Sequence, residues 1–300
     1  MQDVRQVLST CTGGADLEYL RRRGQRQIPY RKGNMKTDIT AVKYFRAGSL
    51  KVEVHPSSRQ AGQAAAAAAA EAIRELDRLG KGVNVIFATG ASQLETLAAL
   101  TSVPNVPWHN VHGFHLDEYI GIDENHPASF RRYLREKLTQ RVPIKQFSEI
   151  DGNSPDPEMF CKRYAEELRL ADPQLCLLGV GENGHLAFND PAEADFNDPL
   201  AVKVVNLDTV CRRQQAAEGW FENLDAVPHQ AITVTIPALF RVPKLIVSVP
   251  GKRKAQIVRK TIQDPISHEC PSTILRNHPD ATIYLDPDSA GELSEVFPLN

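Results

Sequence analysis

The sequence predicts an α/β fold: one three-layer, doubly wound, mostly parallel sheet of Rossmann-like type. Three observations predict it. Short β-rich runs alternate with helical patterns from about residue 48 onward, the order that builds a parallel sheet through crossover helices. Leu175–Leu178 (LCLL) is apolar at every position, as a central strand buried on both faces requires. Several of these runs stop in glycine or polar turns, and open α/β sheets bind ligands beyond such strand ends.

The elements follow in order. Leu50–His55 (LKVEVH) alternates like a strand. Pro56-Ser57-Ser58 opens a long helix that runs through the alanines 64–70 to Leu79. Val83–Ala88 (VNVIFA) is a β-rich run, and a helix starts from about Gln93. Val111–Leu116 reads as a strand, and helices are expected over Ala128–Leu138 and Glu158–Leu170. After Leu175–Leu178, the runs Val202–Val205, Ile232–Ile236 and Leu245–Val249 repeat the strand pattern. Helices fit Thr209–Glu218 and Arg253–Ile262, and Thr282–Leu285 is a last short strand. No repeat or low-complexity linker interrupts this rhythm, so residues 48–300 are expected to form one domain.

Residues 1–47 stand apart as an N-terminal extension, expected to be loosely ordered. Residues 1–36 hold eight Lys/Arg against three acids and carry no apolar period. A start of translation at Met35 and a basic docking arm are the other two readings of this stretch.

Composition narrows the function. Hydrophobic content is 42%, charged content 24% and net charge −2, the balance of an ordinary soluble globular protein. No positive field points to nucleic acid or to an anionic membrane, so neither is an expected partner. The alanine run is too short to span a bilayer, and no signal-peptide core stands at the N-terminus. Five scattered cysteines without a CxxC pair argue against a disulfide framework or a zinc site. A cytoplasmic, reducing setting is the simpler expectation.

The residues after each strand carry the chemistry. Thr89-Gly90-Ala91-Ser92 follows VNVIFA and feeds a helix, so its free N–H groups can cradle an anion. Ser92 with Glu95 also fits a plain capping box. The GxxxxGK[ST] spacing of a nucleotide loop is missing. Asp117 and Glu118 follow the next strand; one is expected to face the crevice, where it could act as a general base, while the other pairs with the scaffold. The stretch LGVGENGHLAFNDP (178–191) contains GxGxxG at Gly179, Gly181 and Gly184. Pro191 rules out the helix that a dinucleotide-binding fingerprint would open. His185 is therefore the candidate acid/base, and Asp190 could orient its second nitrogen. Lys252, Arg253 and Lys254 follow Leu245–Val249 and suit a phosphate group. Arg212 and Arg213 are a second possible clamp. Each signal has a bland alternative: an N-cap, a solvated acid pair, a structural histidine, a basic turn. Their joint placement after strands of one sheet points to acid/base chemistry on a small phosphorylated molecule, with no cofactor and no metal.

These stretches together resemble the glucosamine-6-phosphate deaminase/isomerase family. The resemblance is carried by FATGASQLETLAAL (87–100), FHLDEYIGIDENHPASFRRYL (114–134), LGVGENGHLAFNDP (178–191), AITVTIPAL (231–239), VSVPGKRKAQIV (247–258) and PSTILRNHPDATIYLD (271–286). It implies the deaminase-like variant of the doubly wound fold and conversion of glucosamine 6-phosphate and water to fructose 6-phosphate and ammonia. It also implies an amino-sugar phosphate as ligand. Asp117 would move the proton between C2 and C1, and His185 would help open the sugar ring. Asp190 stands where the family has a glutamate supporting this histidine. Thr89, Gly90, Ala91, Ser92 and Lys254 would bind the phosphate, with Arg212 as the phosphate arginine; Glu118 and Gly184 would support the loops. Members occur as monomers and as hexamers, so a homo-oligomer is compatible with the resemblance.

The sequence departs from the family at three places. Asn183 replaces an aspartate, and an amide can orient a neighbour but cannot act as a base. Asp190 is one methylene shorter than glutamate. Gln93 replaces the proline of the phosphate loop. The lactonase relatives carry DGHxASLFP where this chain reads NGHLAFNDP, which favours the deaminase side. A 6-phosphogluconolactonase, a deaminase of another amino-sugar phosphate and a non-catalytic sugar-phosphate sensor remain the alternatives. The stretch that helps bind an N-acetylated allosteric activator in some members is not recognisable, so no such activation is expected.

Overall fold

A computed structural model of the chain describes residues 41, 43–80 and 82–293. The readings of residues 1–36 lie outside the described residues. Folded structure begins ahead of residue 48: β1 (Lys43–Ala47) pairs antiparallel with β2 (Leu50–Val54). Helix α1 (Ser58–Arg78) starts at an N-cap, Ser57, whose side chain accepts from the Gln60 N–H. Then come β3 (Val83–Phe87), α2 (Leu94–Leu100), β4 (Val111–His115), β5 (Asp117–Tyr119), α3 (Phe130–Leu134), β6 (Gln146–Ser148), α4 (Pro157–Ala171) and β7 (Leu175–Leu178). The order closes with β8 (Val202–Asn206), α5 (Thr209–Ala217), β9 (Gln230–Val234), α6 (Ile236–Phe240), β10 (Lys244–Ser248), α7 (Ala255–Gln263) and β11 (Ala281–Leu285).

The main sheet runs β1-β2-β11-β10-β7-β3-β4-β6, and every pairing in it except β1–β2 is parallel. From β3 the chain winds outward through β4 and β6; from β7 it winds the other way through β10 and β11. The reversal falls between β3 and β7, where a crevice opens beyond the strand ends.

Two predicted strands do not join this sheet. Val202–Asn206 and Gln230–Val234 pair antiparallel with each other, and Asp117–Tyr119 pairs with the second of them, in a separate three-stranded sheet. A short apolar run signals a buried strand but carries no information on direction or partner. The consequence is local and chemical: just past the end of β4, the chain is gripped by β9, with Asp117 opposite Thr233.

Helices cover both faces of the main sheet. The alanines of α1 pack with Leu97 and Leu100 of α2 over Val83, Val85, Phe87 and Leu177. Small residues let these two helices approach closely; a Cβ at Gly62 would stand 2.6 Å from Cβ of Glu95. The opposite face packs Phe160, Tyr164 and Leu168 of α4 and Ile257, Val258 and Ile262 of α7 over Ile86, Cys176, Leu178 and Val247.

Candidate active site

One pocket lies at the crevice. Its walls come from the turn after β3, from Leu116 and Asp117 after β4, from Gly179–Gly181 after β7 and from Pro250 and Lys254 after β10. Phe130, His185, Ala187, Phe188, Gln214, Gln215 and Glu218 complete it.

The turn 89–92 takes its shape from Gly90, which sits at φ +86°, a left-handed backbone that favours glycine. The Gly90 carbonyl accepts from the Tyr133 hydroxyl at 2.9 Å. The capping box of Ser92 and Glu95 is absent, since neither the 91–93 turn nor α2 has a side-chain cap. Instead the Ser92 hydroxyl accepts from the buried Gln93 amide at 3.2 Å. Gln93 thus positions a pocket hydroxyl.

Asp117 and Glu118 divide as adjacent residues of a strand must. Glu118 is fully buried and takes hydrogen bonds from the backbone N–H groups of Tyr119, Phe130 and Arg131 and from the Ser129 hydroxyl. It anchors the loop. Asp117 faces the pocket with 6% of its surface exposed, and no described residue donates to its carboxylate. Burial, then the nearby Glu118 charge, pushes its pKa well above the usual aspartate value. Such a carboxylate is a stronger base once ionised.

His185 lies over Gly181, where an added Cβ would stand 2.2 Å from the ring Nε2. Its Nδ1 is 2.8 Å from Asp190 Oδ1. Burial raises the Asp190 carboxyl, but His185, Asn183 and the Asp208 N–H outweigh it and hold the pKa below normal. An ionised Asp190 accepts a hydrogen bond from Nδ1–H, which leaves Nε2 as the ring nitrogen without this partner. Asn183 fixes this arrangement: its amide donates to Asp190 Oδ1 and to Asp208 Oδ2, each at 2.9 Å, and its oxygen accepts the His185 N–H. Gly184 makes the turn at φ +88°. Thr233, paired with Asp117, also accepts the Phe188 N–H at 3.0 Å, so the base and the histidine loop share one support.

Two cation readings need correction. Arg212 does not line the pocket. Its guanidinium donates to the carbonyls of Leu224 and Val227 because the α5 register turns it toward the 220–227 loop. Of the basic turn only Lys254 points inward; Lys252 and Arg253 are exposed, and Arg253 reaches Glu182 at 4.0 Å. The Lys254 ammonium has no hydrogen-bond or ion-pair partner among the described residues, and burial lowers its pKa. Gln214, Gln215 and Glu218 had no sequence signal: they lie on or at the end of a helix of polar composition, and only the burial of the two glutamines and the place of Glu218 in the pocket wall mark them.

The ligand atoms of His185, Asp190 and Cys211 lie within 4.8 Å of one another. Burial and the carboxylates of Asp190 and Asp208 push the Cys211 thiol pKa up.

The fold and the site define a protein of the doubly wound α/β class, with a buried carboxylate, a carboxylate-held histidine and a glycine turn in one crevice. Comparison with known proteins takes this to a family. Residues 56–284 match the family model described as glucosamine-6-phosphate isomerases/6-phosphogluconolactonase, and the chain belongs to that family. The glucosamine-6-phosphate deaminase of Listeria monocytogenes serotype 4a is 35% identical over 211 residues, 70% of this chain and 88% of that protein. That of an Exiguobacterium species is 34% identical over 186 residues, 62% of this chain and 71% of that protein. A solved monomeric glucosamine-6-phosphate deaminase superposes with a TM-score of 0.74 at 29% identity, covering 80% of this chain and 99% of that one. A putative 6-phosphogluconolactonase from Neisseria gonorrhoeae shares the fold, with a TM-score of 0.63 at 18% identity over 78% of this chain and 98% of that one.

Proposed function

We propose that this chain converts glucosamine 6-phosphate and water to fructose 6-phosphate and ammonia, using only its own side chains as acids and bases. The observation that carries this reading is the meeting of Asp117 and His185 in one pocket, the first unpartnered and the second held by Asp190. The sugar phosphate lies with its anionic end on the N–H groups of residues 89–92, the Ser92 hydroxyl and Lys254. His185 Nε2 relays a proton from the anomeric hydroxyl to the ring oxygen, which opens the ring. Asp117 then takes the proton from C2 and returns it to C1, while the C1 oxygen takes up a proton given by the C2 ammonium. The C2 amine becomes an imine, and water replaces it to give the ketone and free ammonia. Asn183 and Asp190 position the histidine, and Glu118 and Gly184 hold the two loops. The four described cysteines are free, which suits the reducing cytoplasm where we place this activity.

The test is a parallel assay of the purified chain on glucosamine 6-phosphate, galactosamine 6-phosphate and 6-phosphogluconolactone. Equal release of ammonia and fructose 6-phosphate from the first alone is expected. Lactone hydrolysis without ammonia release would overturn the reading.

A further inference from the structure

The anion end of the pocket holds a carboxylate for which the proposed reaction has no use. Glu218, at the C-cap of α5, lines the same pocket as Lys254 and the turn 89–92. It is held in place. Gln214 Nε2 donates to one of its oxygens at 2.8 Å, and Trp220 Nε1 donates to the other at 3.1 Å. Gln214 in turn accepts the Glu182 N–H at 2.9 Å. Trp220 packs edge-on against Tyr133, the residue that bonds the Gly90 carbonyl. Glu218 is therefore fastened to the phosphate turn from one side and to the glycine loop from the other.

Charge makes this position consequential. The ionisable side chains in the pocket wall are Asp117, His185, Glu218 and Lys254, so the one amine stands among two acids and an imidazole. The groups around them change this little. Glu182 and Arg253 stand 4.0 Å apart and offset each other. Tyr119, Tyr133 and Cys211 are kept neutral by burial. A phosphate monoester changes from one negative charge to two near pH 6. Its singly charged form has a P–OH that can donate to a carboxylate; its doubly charged form has none and meets Glu218 as a like charge.

We propose that Glu218 is a specificity-determining residue that makes this pocket favour the singly charged, protonated form of a phosphate monoester over the dianion. The inference rests on the reading of the 89–92 turn and Lys254 as the phosphate subsite. A bound monoanion donates its P–OH to Glu218 while its other oxygens take the turn N–H groups and Lys254.

The test measures binding of sorbitol 6-phosphate, which has no carbonyl to react, by calorimetry at about pH 5.5 and about pH 8 at fixed ionic strength. Sulfate, a dianion at both pH values, is the control for any other titration in the site. The wild-type chain should bind sorbitol 6-phosphate about tenfold more weakly at the higher pH, beyond any change seen with sulfate. Glu218→Gln should remove most of that slope and tighten binding at the higher pH about tenfold. Glu218→Ala, which lacks the amide, should also lose the slope and guards against a folding defect in the first variant. An unchanged slope in both variants, or no slope in the wild type, overturns the inference while leaving the phosphate subsite intact. No binding of sorbitol 6-phosphate at either pH overturns the subsite, and the inference with it.

Discussion

His185 Nδ1 and Asp190 Oδ1 stand 2.8 Å apart, and the amide of Asn183 donates to that same carboxylate oxygen. This relationship fixes which nitrogen of the imidazole is left without that carboxylate. Asp190→Asn removes the charge that selects the tautomer and would stabilise an imidazolium. Turnover of glucosamine 6-phosphate should fall by roughly 10²-fold or more while KM changes little. Steady-state kinetics at neutral pH check this; a variant with undiminished kcat would remove Asp190 from the mechanism.

Asn183 is the departure from the family that the structure explains best. Its amide donates to Asp190 and to Asp208 at once, so an aspartate there would bring three carboxylates together. Asn183→Asp should raise the Asp190 pKa, lower kcat and cost about 1–3 kcal/mol of stability at neutral pH. Thermal melts beside kinetics test this. A faster and equally stable variant would mean that the neutral amide is a handicap in this chain.

The pH–rate profile should report Asp117. Its folded pKa is raised, first by burial and then by Glu118, and the base works only when ionised. On the acid side kcat/KM should therefore rise with pH through a value above the ordinary aspartate value of about 3.9. A profile already flat from about pH 4.5 upward would contradict a raised Asp117 pKa.

Arg212 separates stability from binding. Arg212→Met loses the bonds to the Leu224 and Val227 carbonyls and should cost about 1.5–3 kcal/mol. KM should rise far less than in Lys254→Met, which removes the unpartnered cation in the pocket. Urea denaturation and substrate titration of both variants give the comparison; a large KM effect with unchanged stability in Arg212→Met would restore it as a phosphate ligand.

Much of this was legible in the sequence, and for physical reasons. The apolar run Leu175–Leu178 is a strand buried at all four positions, because a parallel strand covered on both faces must be apolar throughout. The strand-end turns carried their own signal: glycines at 90, 181 and 184 meet the backbone and close-approach demands of the crevice. What was not legible depended on partners distant in sequence. The runs 202–206 and 230–234 look like any other strand, and only pairing with Asp117–Tyr119 sends them to a second sheet. Arg212 and Lys254 are both basic residues near a predicted helix start, yet rotation about their helices turns one to a carbonyl loop and the other to the pocket. Glu218 gave no sign at all, since its side chain reaches the pocket only through the hold of Gln214 and Trp220.

The central claim is that Asp117 transfers the proton. Its most direct test is release of ammonia and fructose 6-phosphate from glucosamine 6-phosphate by the wild-type chain and by Asp117→Asn, with sugar-phosphate binding and thermal stability measured on both. The account predicts matched release of the two products by the wild type, and a loss of at least about 10²-fold in the variant, which still folds and binds. A folded Asp117→Asn that releases both products at the wild-type rate would contradict it.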